Sequence, residues 1–333
     1  MSYAIKFMAL ATAVLASYGP VSHAQNAPER NVRLGHGIAA EHPLGVAAVK
    51  YAEIMDRLSG GKIKIKVYPA TQLGSETQMI AAVRGGVQEI AIVASAPVAT
   101  IIKEFQLFDL PFLFQNEKEV DAVLDGKLGQ RLLDLATPKN MIGLCYWENG
   151  FRQVTNSKRP VGTLEEMAGL KLRVMQNPVY IDSFKALGAN AIPMPFTELY
   201  SAMETKAIDA EENPVPIIYA SKFFEVQKYL SLTNHAYAPY IVLVSKAFWD
   251  KLTPAQQKIL KDAAVEARTY QRQVAREQSE AARKAMADRG MKVNEVSDAE
   301  RARMRERVQP VWNMFTPDVG QDLVGQVEAQ LKK

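Results

Sequence analysis

The side chains best suited to chemistry lie in two short stretches, Gly169-Leu-Lys-Leu-Arg173-Val-Met-Gln-Asn177 and Asp209-Ala-Glu-Glu-Asn213-Pro214. The first reads as a strand that delivers a fixed cation, the second as a turn that delivers a neutral amide. An arginine held at a strand end can clamp a carboxylate through two parallel N–H···O bonds. Neither stretch supplies a nucleophile or a metal site. The combination points to holding a small anion rather than transforming it.

Other residues could join them. Arg152, in Asn149-Gly-Phe-Arg152-Gln153, also follows a strand and would double the cationic capacity of one mouth. Leu170, Leu172 and Val174 alternate inward, which leaves Arg173 facing either solvent or a cleft. Pro214 holds Asn213 extended, either as a turn-forming residue or as a polar contact. Phe196, between Pro195 and Thr197, fits a core or a platform under a ligand's apolar face. Glu76 opens a helix, where the macrodipole favours an acid, and it either caps that helix or dips into a cleft. His36 and His42, with Glu41, straddle a strand-to-helix loop; cleft lining or helix capping explains them better than zinc ligation. His235 follows Thr233-Asn234 and reads as structural.

Catalytic signatures are mostly absent. There is no Gly-x-Ser-x-Gly elbow, paired-cysteine metal motif, His-Glu-x-x-His or phosphate-cradling loop, so neither a metal nor a cofactor is expected. Of 333 residues, 48% are apolar and 23% charged, an ordinary globular composition that leaves room for two lobes. Basic residues are interleaved with acids, as in Arg268, Arg272 and Arg276 beside Glu266, Glu277 and Glu280. That pattern reads as a solvated helix face rather than a nucleic-acid stripe.

The start of the chain is a different object. Lys6, the apolar run Phe7–Ala16 and the small-x-small site Ser22-His23-Ala24 predict a cleaved secretory signal over residues 1–24. Its loss removes one lysine and no acid, so the net charge of +4 falls to +3. No cysteine stands at the cleavage point, which argues against a lipid anchor. No later apolar run reaches the length of a membrane helix, and the exported protein is expected in a periplasm. The single cysteine, Cys145, reads as a small buried hydrophobe.

These groups need elements to position them. Val32–Gly35 predicts a strand, Pro43–Leu58 a helix and Lys62–Tyr68 an alternating strand. A helix capped by Ser75 should run to Arg84, before the buried strand Ile90–Ala94. That order is an α/β lobe with a largely parallel sheet. A second set follows: strands at Met141–Tyr146, Phe151–Asn156 and Leu170–Val174, then helices at Val179–Leu187 and Thr197–Thr205, with Thr197 as a cap. Tyr240–Val244 should return to the first lobe, and such crossings make a hinge around a ligand cleft. Thr253-Pro254-Ala-Gln256 opens a helix reaching Arg289, roughly 54 Å long at 1.5 Å per residue. A break near Arg272 is the alternative. No internal repeat is visible.

With these motifs in place, the chain resembles the dicarboxylate-binding (DctP) type of solute-binding protein from tripartite ATP-independent periplasmic (TRAP) transporters. The matching segments run from Tyr68-Pro-Ala-Thr-Gln-Leu-Gly-Ser75 through Phe108-Asp-Leu-Pro-Phe-Leu-Phe114, Glu148-Asn-Gly-Phe-Arg152, Gly169-Leu-Lys-Leu-Arg173 and Ala186-Leu-Gly-Ala-Asn190. They continue in Pro195-Phe-Thr-Glu-Leu-Tyr200, Glu212-Asn-Pro214 and Lys222-Phe-Phe-Glu-Val-Gln-Lys-Tyr229. The resemblance implies a two-lobed α/β fold with an interlobe cleft, crossing strands and a long bracing helix. Lobe I would comprise 25–149 plus 238–277, and lobe II 150–237 plus 278–333. It implies capture of a small organic acid, a C4-dicarboxylate or a sugar acid such as a hexuronate, for a permease with small and large membrane subunits. It gives Arg173 the bidentate carboxylate contact, Arg152 a second cationic contact, Asn213 a polar contact and Phe196 a packing surface.

Two departures bear on specificity. Glu211 stands where many relatives carry a neutral amide; facing the cleft, it would favour ligand hydroxyls and oppose a second carboxylate. Ala94 and the Pro97 region lack the acid and arginine of sialic-acid binders. Competing readings are an exported sugar-acid lyase or isomerase using Glu76, Glu211 or His36 as base, and a binding protein that reports to a sensor.

Overall fold

Alternation in Ile63–Tyr68 buries Ile63 and exposes Lys64 and Lys66, whereas Ile90–Ala94 is buried at every position. The first strand therefore lies at a sheet edge and the second inside it. The computed structural model describes residues 29–332; the expected signal segment lies outside the described residues. The strands are β1 (Arg30–His36), β2 (Ile63–Tyr68), β3 (Ile90–Ala94), β4 (Met141–Asn156), β5 (Lys171–Val174), β6 (Asn190–Pro193), β7 (Ala210–Pro214), β8 (Tyr229–Leu232), β9 (Tyr237–Ser245) and β10 (Lys292–Glu295).

They follow the order β2-β1-β3-β9-β4-β7-β5-β6, with β8 on β4 and β10 on β8. In lobe I, β1 runs parallel to β2 and β3, and β9 closes the set antiparallel to β3. In lobe II, β5 runs parallel to β6 and β7, and β4 closes it antiparallel to β7. The two lobes thus repeat one topology, although no sequence repeat is visible; topology constrains periodicity and turns, not side-chain identity.

Met141–Tyr146 and Phe151–Asn156, expected as two strands, are one strand. Met141–Phe151 pairs with β9, and Arg152–Asn156 pairs with β7. The register shifts between Glu148 and Gly150, where Gly150 adopts φ +119°, a conformation open to glycine. Ala210–Pro214 is a strand rather than the expected turn, because its backbone pairs with β4 and β5. Thr197 is no cap; it lies inside a 3-10 turn, Phe196–Glu198, that precedes the helix Leu199–Glu204.

The long helix is continuous over Pro254–Asp288, 35 residues, or about 52 Å. Thr253 and Gln256 form its capping box. Leu260, Ala263, Ala264 and Ala267 join the main core, while Ala282 and Met286 join a second cluster in lobe II. One helix therefore braces both lobes. Its arginine row is not a solvated face: Arg268 and Arg272 bind Asp125, and Arg276 binds Asp121 and Glu148. Spacing of four residues puts all three cations on the side that meets the helix Glu117–Leu124. Gln271 locks the crossing strand, accepting from Glu148 N–H and donating to its carbonyl, both at 2.7 Å.

The C-terminal helices Gln309–Val319 and Gln321–Leu331 reach back to lobe I, packing on Lys103–Asp109 and Glu117–Leu124. Cys145 is buried, and burial pushes its thiol up to about 12. Among the described residues no helix is long and apolar enough to cross a membrane.

Candidate functional site

Parallel strands end on the same side, and loops at their carboxyl ends form the crevice where open α/β sheets take ligands. Here two such crevices face each other. Residues following β1, β2 and β3 form one wall, and residues following β5 and β6, with Asn213 at the end of β7, form the other; β4 and β9 make the floor. The space between the walls, counting the open solvent at its mouth, amounts to about 620 Å³.

Arg173 sits one residue before the end of β5 and is 2% exposed. Alternation puts it on the face away from Leu172, and the opposing lobe makes that face cleft rather than solvent. Nε donates to the Met194 carbonyl at 2.8 Å; Nη1 is buried with no partner. Among the described residues it pairs with no carboxylate. Burial lowers its pKa to about 10, so the group remains a cation near neutral pH.

Arg152 is different. It is fully buried on β4, and its Nε and Nη2 meet the two carboxylate oxygens of Glu212, Nη2–Oε1 at 2.9 Å. Nη2 also donates to Asn213 Oδ1 at 3.1 Å, and the guanidinium stands 5.6 Å from the Tyr180 ring centre. Burial works against the charged Glu212, but Arg152 and the His235 hydrogen bond outweigh it and hold the carboxyl below its ordinary range. Burial also lowers the His235 pKa, so its imidazole is neutral near pH 7. Nε2–H donates to Glu212 at 3.0 Å, and Nδ1 takes Thr233 Oγ1 at 2.8 Å. His235 is structural, as expected.

Glu211 does not line the cavity. Although it stands opposite Arg173 in the β5/β7 register, its carboxyl takes Thr155 Oγ1 at 2.5 Å and Asn213 Nδ2 at 2.6 Å. Burial pushes it up to about 7. Its effect is to orient Asn213, which does line the cavity.

Ser75 and Gln78 cap the helix Glu76–Arg84, which frees Glu76 for the cleft wall. Its Oε1 accepts Ala94 N–H at 2.7 Å, and burial raises its pKa. Phe196 lines the cavity and packs on Phe223 at 5.9 Å. The structure does not bring His36 to the wall: its side chain turns into the core, fully buried, with neither ring nitrogen partnered, while Gly37 and Ile38 form the surface. His42 caps a helix, accepting Leu44 N–H at 3.1 Å. No cluster of metal-binding side chains occurs among the described residues.

Asn149 and Tyr240 were missed from the sequence. Both line the cavity, and Asn149 Oδ1 and the Tyr240 hydroxyl are buried without partners. Asn149 stands in the Glu-Asn-Gly-Phe-Arg segment, where its amide is a weaker signal than the charge of Arg152. Tyr240 lies in an apolar strand, and its polar tip gave no periodic signal.

Residues 34–318 match the family described as bacterial extracellular solute-binding protein, family 7 (DctP). The 2,3-diketo-L-gulonate-binding periplasmic protein of Escherichia coli K12 is 38% identical over 302 residues, 90% of this chain and 92% of that protein. The crystal structure of a sugar acid binding protein from Advenella mimigardefordensis in complex with galactonate is 45% identical. It covers 92% of this chain and 98% of that one, with a TM-score of 0.89. A TRAP periplasmic solute-binding protein of Sulfurospirillum deleyianum with bound succinate is 32% identical, covering 91% and 99%, with a TM-score of 0.86. The chain belongs to family 7 of the bacterial extracellular solute-binding proteins, a family of two-lobed TRAP binding proteins.

Proposed function

We propose that this chain captures a small organic acid between its lobes and hands it unaltered to a TRAP permease with small and large membrane subunits. One observation carries the reading: Arg173 is a cation buried in the cavity with Nη1 unfilled and, among the described residues, no carboxylate partner. An unpaired buried charge is costly, and a ligand carboxylate would offset that cost with a two-pronged pair. Asn213, oriented by Glu211, would add a polar contact, and Phe196 would cover the ligand's apolar face. Arg152 would act mainly by holding Asn213 and adding positive potential. Glu76 completes the set from lobe I. The relatives' ligands (2,3-diketo-L-gulonate, galactonate and succinate) are all organic acids, which supports the class.

The lobe division follows the crossings of β4, β9 and the long helix: 25–149 plus 238–277, and 150–237 plus 278–333, with the last two helices returning to lobe I. Lys6 and the apolar run behind it support export to the periplasm with cleavage near Ala24. We read the protein as a carrier rather than an enzyme, because Glu211 and Glu212 are engaged with Thr155, Asn213, Arg152 and His235, and Glu76 with the Ala94 N–H.

A thermal-shift screen of the mature protein against organic acids tests this, since a ligand that binds only the folded state raises Tm. At least one sugar acid or dicarboxylate should raise it, and the gain should vanish in Arg173→Ala. A flat response to every acid would overturn the proposal.

A further inference from the structure

Asn177, in the segment that follows β5, is 1% exposed and uses its side chain in two directions. Oδ1 accepts Val179 N–H at 2.9 Å and so caps the helix Pro178–Ala186 of lobe II. Nδ2 turns the other way. It donates to the Ala96 carbonyl at 3.0 Å, in the helix Ser95–Ala99 that follows β3, and to Asp109 Oδ2 at 2.8 Å, at the end of the 3-10 turn Lys103–Asp109. Among the described residues these are the only hydrogen bonds that join residues 95–109 to residues 175–187. Asn177, Ala96 and Asp109 do not line the cavity, although their neighbours Pro97, Met175 and Gln176 do.

The cap needs only an oxygen, which serine or aspartate supplies as well. What asparagine adds is a neutral donor with two N–H groups, and both find acceptors on the opposite lobe. Ala96 and Asp109 are 0% and 1% exposed, so bringing the lobes together strips both acceptors of water. An acceptor left unmatched in such a place keeps its desolvation penalty. The amide removes that penalty twice.

Resting on the two-lobed carrier reading above, we infer that Asn177 is an interlobe latch that holds the closed form through Asp109 and Ala96 without touching the ligand. When the lobes part, the two acceptors leave with lobe I and the amide with lobe II. The bonds therefore belong to the closed form alone, and they act on the cleft by positioning its walls.

Electron–electron distance measurements between nitroxides at Lys50→Cys on lobe I and Glu204→Cys on lobe II test this. Both sites are exposed, and Cys145 is buried away from the label. The mature chain is measured alone and with D-galactonate. Asn177→Ser keeps the helix cap but is too short to reach lobe I, so the ratio of closed to open molecules should fall about tenfold or more. Asp109→Asn keeps an acceptor for the amide and should behave as wild type. A lower Tm in Asn177→Ser with lobe distances unchanged under both conditions makes the residue merely structural and overturns the inference. Equal opening in Asp109→Asn overturns it too, since the acceptor is still there. Should Asn177→Ser not fold, Asp109→Ala cuts the bond from lobe I and must open the lobes, or the inference falls. A shift in lobe distance in a protein that binds no organic acid keeps the latch and removes the organic-acid reading.

Discussion

The Arg152 guanidinium grips the Glu212 carboxylate with two nitrogens, Nη2 standing 2.9 Å from Oε1, in a site closed to solvent. Arg173, on β5 beyond the intervening β7, has no such partner. Two arginines that look alike in the sequence thus hold opposite positions. One is paired with a carboxylate of the protein, and the other keeps a buried donor, Nη1, without a partner.

Their substitutions should separate accordingly. Arg152→Met strands the buried Glu212 carboxylate and should lower stability by about 3–5 kcal/mol. Arg173→Met removes an uncompensated charge and should leave ligand-free stability unchanged or raise it by about 0.5–2 kcal/mol. Urea denaturation of both variants without ligand measures the difference. Equal losses would contradict the assigned pairing.

Arg173→Lys keeps the charge and loses the planar fork. Hydrogen bonds to a charged group contribute about 1.5–3 kcal/mol each, so affinity for the ligand should drop on the order of a hundredfold. Titration calorimetry reads this directly. Affinity near that of wild type would remove Arg173 from the primary contact.

Glu211→Ala releases both Asn213 Nδ2 and Thr155 Oγ1. Ligand affinity should fall about tenfold while Arg173 is untouched, and stability should fall by about 1–3 kcal/mol from the unsatisfied groups. A folded variant that binds as wild type would show that Asn213 needs no such support.

His42 carries a pH signature. Burial drives its pKa down to about 3, from 6.5 when exposed. The folded state holds it neutral, so between pH 6.5 and 3 the unfolded chain binds more protons, and stability is lost as pH falls through that window. His42→Asn keeps a side chain that can cap the helix and removes the titration. At pH 4.5 the wild type should have lost about 2–3 kcal/mol relative to this variant, taking both at pH 7.5 as reference. Parallel stability–pH curves would refute the assignment.

Gln271→Ala removes both hydrogen bonds to the Glu148 backbone at the lobe crossing. A loss of about 1–3 kcal/mol is expected, with the crossing less fixed. Small-angle scattering of the ligand-free protein should then show a broader distribution of sizes, and an unchanged profile would count against Gln271 as the hinge brace.

Local signals carried much of the fold. The alternation in Ile63–Tyr68, the apolar run Ile90–Ala94, the Ser75 cap, the Thr253 capping box and the helix Pro43–Leu58 are short-range patterns, and each lies where the sequence placed it. The arginine row of the long helix was legible as spacing but not as environment. Asp121, Asp125 and Glu148 reach it only through packing. Asp209–Pro214 looked like a turn because Asn-Pro and acidic residues favour turns locally; pairing with β4 and β5 overrode that preference.

By itself, the sequence determined a two-lobed α/β organisation, a long bracing helix and a short roster of groups able to hold an anion. Tertiary structure alone decided which of those groups remains available. The β4/β7 register pairs Val154 with Glu212 and so delivers the Glu212 carboxylate to Arg152, while Glu211 turns to Thr155 and Asn213 rather than to Arg173. Such pairings join residues dozens of positions apart, where periodicity and local propensity carry no information. The free cation on which the proposed function rests is a product of that register.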